Sequence, residues 1–116
     1  MPNNHHYHNR AVDDWVRLNV GGSMFQTTRA TLMSVPSKLS TWCAENFCNL
    51  PVDDAGLPFI DRDPVQFTFI LNFLRGYELS DLEPEVSRAL LEDAVYFELS
   101  QLNEALGAKC ANVFLR

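Results

Sequence analysis

The chain has 116 residues, of which 47% are hydrophobic, 21% charged and 11% aromatic, and its net charge is −6 with a pI near 4.8. That length suits one domain, and the apolar content excludes a disordered chain. With Lys38 and Lys109 as its only lysines, the chain carries no basic stripe of the kind a nucleic-acid binder shows, and its acidity favours partners with basic surfaces.

The three cysteines, Cys43, Cys48 and Cys110, are odd in number and show no disulfide framework. No signal peptide opens the chain, and no apolar run approaches the ~20 residues that a membrane span needs. The expected compartment is reducing, cytosol or nucleus. Eight Phe residues suit either a Phe-rich core or apolar surface shared between subunits.

Residues 1–14 read as a flexible tail, with His5, His6 and His8 in a stretch without apolar periodicity. Order begins at Trp15. Val16, Leu18 and Val20 alternate with Arg17 and Asn19, the pattern of a half-buried strand. Gly21-Gly22 suits a two-residue hairpin turn, and Ser23 to Thr27 reads as the returning strand with Phe25 inward. Thr28 is a suitable N-cap for a short helix from Arg29 to about Ser34, which Pro36 ends. Ser37 is expected to cap a second helix through Leu39, Trp42, Cys43 and Phe47.

A loop from about Asn49 to Pro58 contains the turn formers Asp53, Asp54 and Gly56, and Phe59-Ile60 reads as a short strand. Asp63-Pro64 predicts a helix start, with Asp63 accepting from the first free amides and Pro64 placed where its missing N–H is harmless. Phe67, Ile70, Leu71 and Leu74 then mark one apolar face, Phe69 and Phe73 a second, and Gly76 the end. Such a helix is central to a fold or covered by a neighbour. Glu83-Pro84 opens a further helix through Val86, Leu90, Leu91, Ala94 and Phe97. Ser100 is expected to start a last one, with Leu102, Ala105 and Leu106 on it and Gly107 as its stop. The folded domain is thus expected over 15–107, with 108–116 as an extension.

Chemistry-bearing residues are sparse. The histidines sit in the tail, so a nucleophile–histidine pair is not expected in the folded part. Asp53-Asp54 and Asp61…Asp63 are better read as turn and cap residues than as an acid–base pair. The cysteine spacing fits buried small hydrophobes better than zinc ligands, and no phosphate-cradling loop is present. The residues therefore describe a small mixed α/β domain, rich in helix, with no evident active site. Elimination favours binding or assembly.

Three segments go further. Trp15-Val16-Arg17-Leu18-Asn19-Val20-Gly21-Gly22 with Phe25-Gln26-Thr27-Thr28-Arg29 and Thr31-Leu32 resembles the opening of BTB/POZ domains of the potassium-channel-tetramerisation type. Phe59-Ile60-Asp61-Arg62-Asp63-Pro64, Phe67 and Ile70-Leu71-Asn72-Phe73-Leu74-Arg75 resemble their central signature, and Leu91-Glu92-Asp93-Ala94…Tyr96-Phe97 their penultimate helix. The Asp61-Arg62-Asp63-Pro64 wording looks more like the soluble KCTD proteins than voltage-gated channels.

The resemblance implies an α/β (α+β) BTB/POZ fold, a small sheet containing the N-terminal hairpin packed on about five helices. It implies a homo-oligomeric ring, tetramer or pentamer, with Arg17, Asn19, Arg29, Asp61 and Arg62 making polar contacts between subunits. It further implies an adaptor role in which a cullin N-terminal domain is held near Asp53, Tyr96 and Phe97, bringing substrates to a cullin-RING ubiquitin ligase. The alternatives are the cytoplasmic assembly domain of a voltage-gated potassium channel and an oligomeric scaffold that does not bind cullin. Neither cofactor nor enzymatic activity is implied, and neither nucleic acid nor membrane insertion. Three departures stand out. Cys110 is single with no His nearby, so the interfacial zinc site of many channel domains is not expected. The aromatic pair reads Tyr96-Phe97, the reverse of the cullin-binding order, and Phe69 stands where a proline is common. The last two bear on cullin binding and leave self-association untouched.

Overall fold

The structure is a computed structural model that describes residues 14–79 and 81–115, with side chains described through Gly107. The histidine-bearing stretch of the tail and the side chain of Cys110 lie outside the described residues.

Strands β1 (Trp15–Val20) and β2 (Ser23–Thr28) form the expected hairpin, antiparallel and in register from Trp15 opposite Thr28 to Val20 opposite Ser23. Gly21 and Gly22 both adopt positive φ, +58° and +99°, as a tight turn matched to strand twist requires. A short third strand, β3 (Phe59–Ile60), pairs with β1 on its other side in parallel, so the sheet order is β2-β1-β3. Parallel neighbours need a crossover, and the segment between β2 and β3 supplies it with helices α1 (Arg29–Leu32) and α2 (Lys38–Ala44). Three longer helices complete the mixed α/β architecture: α3 (Pro64–Leu74), α4 (Pro84–Tyr96) and α5 (Ser100–Leu115).

Most helix boundaries follow local chemistry. Thr28 Oγ1 accepts from Thr31 N, Ser37 and Ser40 form a reciprocal capping box, and Asp63 Oδ1 accepts from Val65 N at 2.8 Å. Two expectations fail. Helix α2 stops at Ala44 and does not reach Phe47, because Asn46 and Phe47 both turn left-handed, φ 55° and 59°. Helix α5 continues through Gly107 to Leu115, where a stop was expected. An interior Gly costs a helix only about 1 kcal/mol, too little to end one that neighbouring turns support.

The inward faces of all these elements meet in one core. Val16, Leu18 and Val20 from β1 lie against Leu32, Leu39, Ile60, Phe67, Ile70 and Leu71, and on α4 and α5 against Leu90, Ala94, Leu102 and Leu106, all buried. Phe67 sits at the centre, edge-on to Phe25 at 5.1 Å and beside Phe97 at 5.7 Å. Both apolar faces of α3 are used, since Phe69 and Phe73 are half-buried against the same cluster. Cys43 is buried as expected, but Cys48 is exposed, so the reading of it as a core hydrophobe is corrected. It follows the left-handed turn at Asn46-Phe47, outside the core that α2 helps to fill.

Candidate functional site

Strand alternation sends one face of the hairpin into the core and leaves the other uncovered by any described residue. That outer face carries Trp15, Arg17 and Asn19 of β1, with Thr28, Gln26 and Met24 opposite them on β2 and Phe59 beside Asn19 on β3. Trp15 is 55% exposed and Met24 64%, an uncovered apolar pair on a structured surface. Arg17 lies between them in the pairing order, its Nε donating to Gln26 Oε1 at 3.0 Å on the exposed surface.

Asn19, Arg29 and Arg62, also expected at subunit contacts, have side-chain contacts within the chain. Asn19 clasps two segments: its Oδ1 accepts from Gly22 N at 2.8 Å and its Nδ2 donates to Asp53 Oδ2 at 2.8 Å. Asp53 Oδ1 accepts in turn from Ala55 N and Leu57 N, both at 2.9 Å. The Asn19 bond first, then these amides, hold the Asp53 carboxyl below the usual carboxylate range. Arg29 donates to Asn46 Oδ1 at 3.3 Å on the surface. Its positive charge partly opposes the burial that pushes the Cys43 thiol up.

Arg62 pairs within its own chain. It is not a free surface cation: its Nε donates to Asp93 Oδ1 at 2.9 Å and its Nη2 completes an ion pair with the same carboxylate. Asp93 is only 4% exposed. A carboxylate so placed needs a counter-charge, and Arg62 supplies it from the segment after β3. Asp61, next to it, is exposed.

Of the aromatic pair, Phe97 is fully buried, edge-on to Trp42 at 6.2 Å and beside Phe67. The ring is part of the core and offers no surface of its own. Tyr96 is half-buried at the surface, edge-on to Phe97 at 4.9 Å. Two cations lie over its ring, Lys38 Nζ at 4.7 Å and the Arg62 guanidinium carbon at 4.4 Å. Lys38 is fixed there because its backbone N–H donates to the Phe97 carbonyl at 2.8 Å. Sequence reasoning missed Asp93 and Lys38. Asp93 was detectable as a charge among Leu90, Ala94 and Phe97 on an inward helix face; Lys38 had no such signal.

A polar cleft opens beside the hairpin turn, lined by Gly21, Asp61, Arg62, Gln66, Glu92 and Asp93 with Asp63, Pro64 and Ala89. Gly21 is obligatory at its rim, since a Cβ there would come within 2.3 Å of the Arg62 carbonyl oxygen. Turn, β3 exit and α3 start therefore form one tightly closed corner.

Comparison with known proteins decides the family. The BTB/POZ domain matches the chain over residues 16–106. This chain belongs to the BTB/POZ family, in its potassium-channel-tetramerisation branch. Among curated relatives, KCTD17 of Homo sapiens is 42% identical over 89 residues, covering 76% of this chain and 28% of the relative. KCTD5 of Homo sapiens is 39% identical over 94 residues, 79% of this chain and 40% of the relative. SH3KBP1-binding protein 1 of Rattus norvegicus is 36% identical over 110 residues, 89% of this chain and 16% of the relative. The chain thus spans well under half the length of these relatives. Membership of this BTB/POZ branch makes it a protein–protein interaction and oligomerisation domain.

Proposed function

We propose that copies of this domain close into a tetrameric or pentameric ring, and that the ring serves as an adaptor holding a cullin N-terminal domain in the cytosol or nucleus. The observation that carries the ring is the uncovered outer sheet face, where Trp15 and Met24 stand exposed around Arg17. Burying such a face between copies removes apolar surface from water at about 25 cal/mol per Å², and a ring supplies every copy with the same cover. Asn19 lies on this face and Arg29 directly follows β2, and Asp61, exposed just after β3, takes part in the same assembly.

The cullin surface is the Tyr96 edge together with the loop that Asp53 organises. Phe97 supports it from inside by packing edge-on beneath Tyr96. Lys38 and Arg62 over the Tyr96 ring fix its orientation and give this surface basic character. KCTD proteins among the relatives support this adaptor reading over a channel assembly domain. No described helix is long and apolar enough to cross a membrane.

Light scattering on the purified domain, alone and with a cullin N-terminal domain, tests both parts. The expected result is a ring that binds cullin with one site per subunit. A ring that ignores cullin leaves the scaffold role alone, and a monomer at high micromolar concentration removes both.

A further inference from the structure

The loop of residues 51–58 hangs on one residue of the sheet. Within itself it closes through Asp53 N–H to the Leu57 carbonyl and Gly56 N–H to the Asp53 carbonyl, both at 2.9 Å, while Asp53 Oδ1 gathers the Ala55 and Leu57 amides. Among the described residues, its hydrogen bonds to β1 are both made by Asn19. The Asn19 backbone N–H donates to the Pro58 carbonyl at 2.9 Å, and Asn19 Nδ2 donates to Asp53 Oδ2 at 2.8 Å. Asn19 therefore holds each arm of the loop once. Gly22 N sets which way the amide faces: it donates to Asn19 Oδ1 at 2.8 Å, so the NH2 end is the one turned to Asp53. The loop tip, Asp54 to Gly56, is exposed, and Val52 on the first arm is 63% exposed.

Asn19 also belongs to the outer sheet face. It pairs in register with Met24, which is 64% exposed, and stands beside Phe59 of β3. Covering that face excludes water from the Asn19–Asp53 bond, and a charge-assisted bond strengthens as the local dielectric falls. We propose that Asn19 is a positioning residue that couples two surfaces: closing the ring tightens its hold on Asp53 and so sets the 51–58 loop in the form that a cullin N-terminal domain accepts. This rests on the ring and cullin readings above and adds the link between them. Coupling of this kind is reciprocal, so cullin binding favours ring closure by the same factor as ring closure favours cullin binding. The Tyr96 edge has no such link. Its two cations, Lys38 and Arg62, are anchored to Phe97 and Asp93, neither of which lies on the outer sheet face. The loop is therefore the part of the cullin surface that senses assembly.

The test exchanges the two side chains. Asn19→Asp sets two carboxylates against each other, and Asp53→Asn sets two amides face to face. Each alone lowers cullin affinity about tenfold by isothermal titration calorimetry and speeds hydrogen exchange at the Ala55 and Leu57 amides. Together in one chain they rebuild the bond with donor and acceptor reversed, because position 19 keeps an acceptor for Gly22 N and position 53 keeps one for the loop amides. Both readouts then return toward wild type. In the wild type, the same two amides exchange faster after dilution to monomer than in the ring. Sedimentation velocity fixes the assembly state in each titration, and circular dichroism confirms folding. A merely stabilising bond would lower the melting temperature and leave the cullin affinity of folded rings unchanged. Single variants that bind cullin like wild type, a paired variant that restores neither readout, or loop exchange indifferent to assembly each overturn the coupling while leaving the ring and cullin readings intact. A wild type that stays monomeric or ignores cullin overturns those readings themselves.

Discussion

At the residue scale, three helices end in the same way with three different residues. After α3, Gly76 N donates to Phe73 O and Tyr77 N to Asn72 O; after α2, Asn46 N donates to Cys43 O and Phe47 N to Trp42 O; after α4, Glu98 N donates to Val95 O and Leu99 N to Ala94 O. Each is a Schellman closure, which needs one left-handed residue. Gly76 and Asn46 take that conformation readily, but Glu98 holds φ 57° with a full side chain. Glu98→Gly should therefore stabilise the fold by about 1 kcal/mol in urea unfolding. The Gly76 stop was legible because glycine announces it. The Asn46 and Glu98 stops were not, since tertiary packing of Phe47 and Leu99 selects them.

Asp53 gives a second test at this scale. Its folded carboxyl titrates below the ordinary Asp value of about 3.9, chiefly through the Asn19 bond. A depressed carboxylate adds stability that is complete above that ordinary value and is lost as pH falls through the folded one. Asn19→Ala should move the Asp53 inflection, followed by carboxyl NMR, upward and flatten the acid limb of stability. The turn at Asp53 was readable from Asp-Asp-Ala-Gly, but its partner was not, because 34 residues separate Asn19 from Asp53. For the cysteines, alkylation at neutral pH followed by peptide mapping should label exposed Cys48 well before Cys43. Burial keeps the Cys43 thiol protonated and out of reach.

At the element scale, the corner where β3 leads into α3 joins sheet, helix and α4. Arg62 and Asp93 fasten it, and removing one partner strands a buried charge. Arg62→Ala should cost roughly 2–4 kcal/mol, read by thermal unfolding, less than a wholly buried pair because Arg62 keeps partial solvent contact. Much of this layer was visible beforehand. Period-two alternation gave β1, Asp63-Pro64 gave the start of α3, and spacing gave its Phe67 face. The candidate site was visible only in part. Arg17 stands exposed where strand alternation places it, whereas Arg62 and Phe97 turn inward, because a buried acid and a central aromatic cluster outweigh any surface role. Family resemblance names positions that matter; it does not say whether a side chain serves its own core or its neighbour.

At the scale of the whole molecule, one side of a small domain carries an uncovered Trp15 and Met24 around a cation, and another carries an acidic cleft. Association built partly on such exposed charges weakens with ionic strength, because about 1 M salt shortens the screening length to roughly 3 Å. Sedimentation in high salt should shift the population toward smaller species, with Trp15→Ala shifting it at any salt concentration. Self-association into a closed ring is read most directly by native mass spectrometry at micromolar concentration. The expected spectrum holds one dominant species at a mass four or five times the 13.2 kDa of the chain. A spectrum holding only the 13.2 kDa monomer, from folded protein, would contradict it.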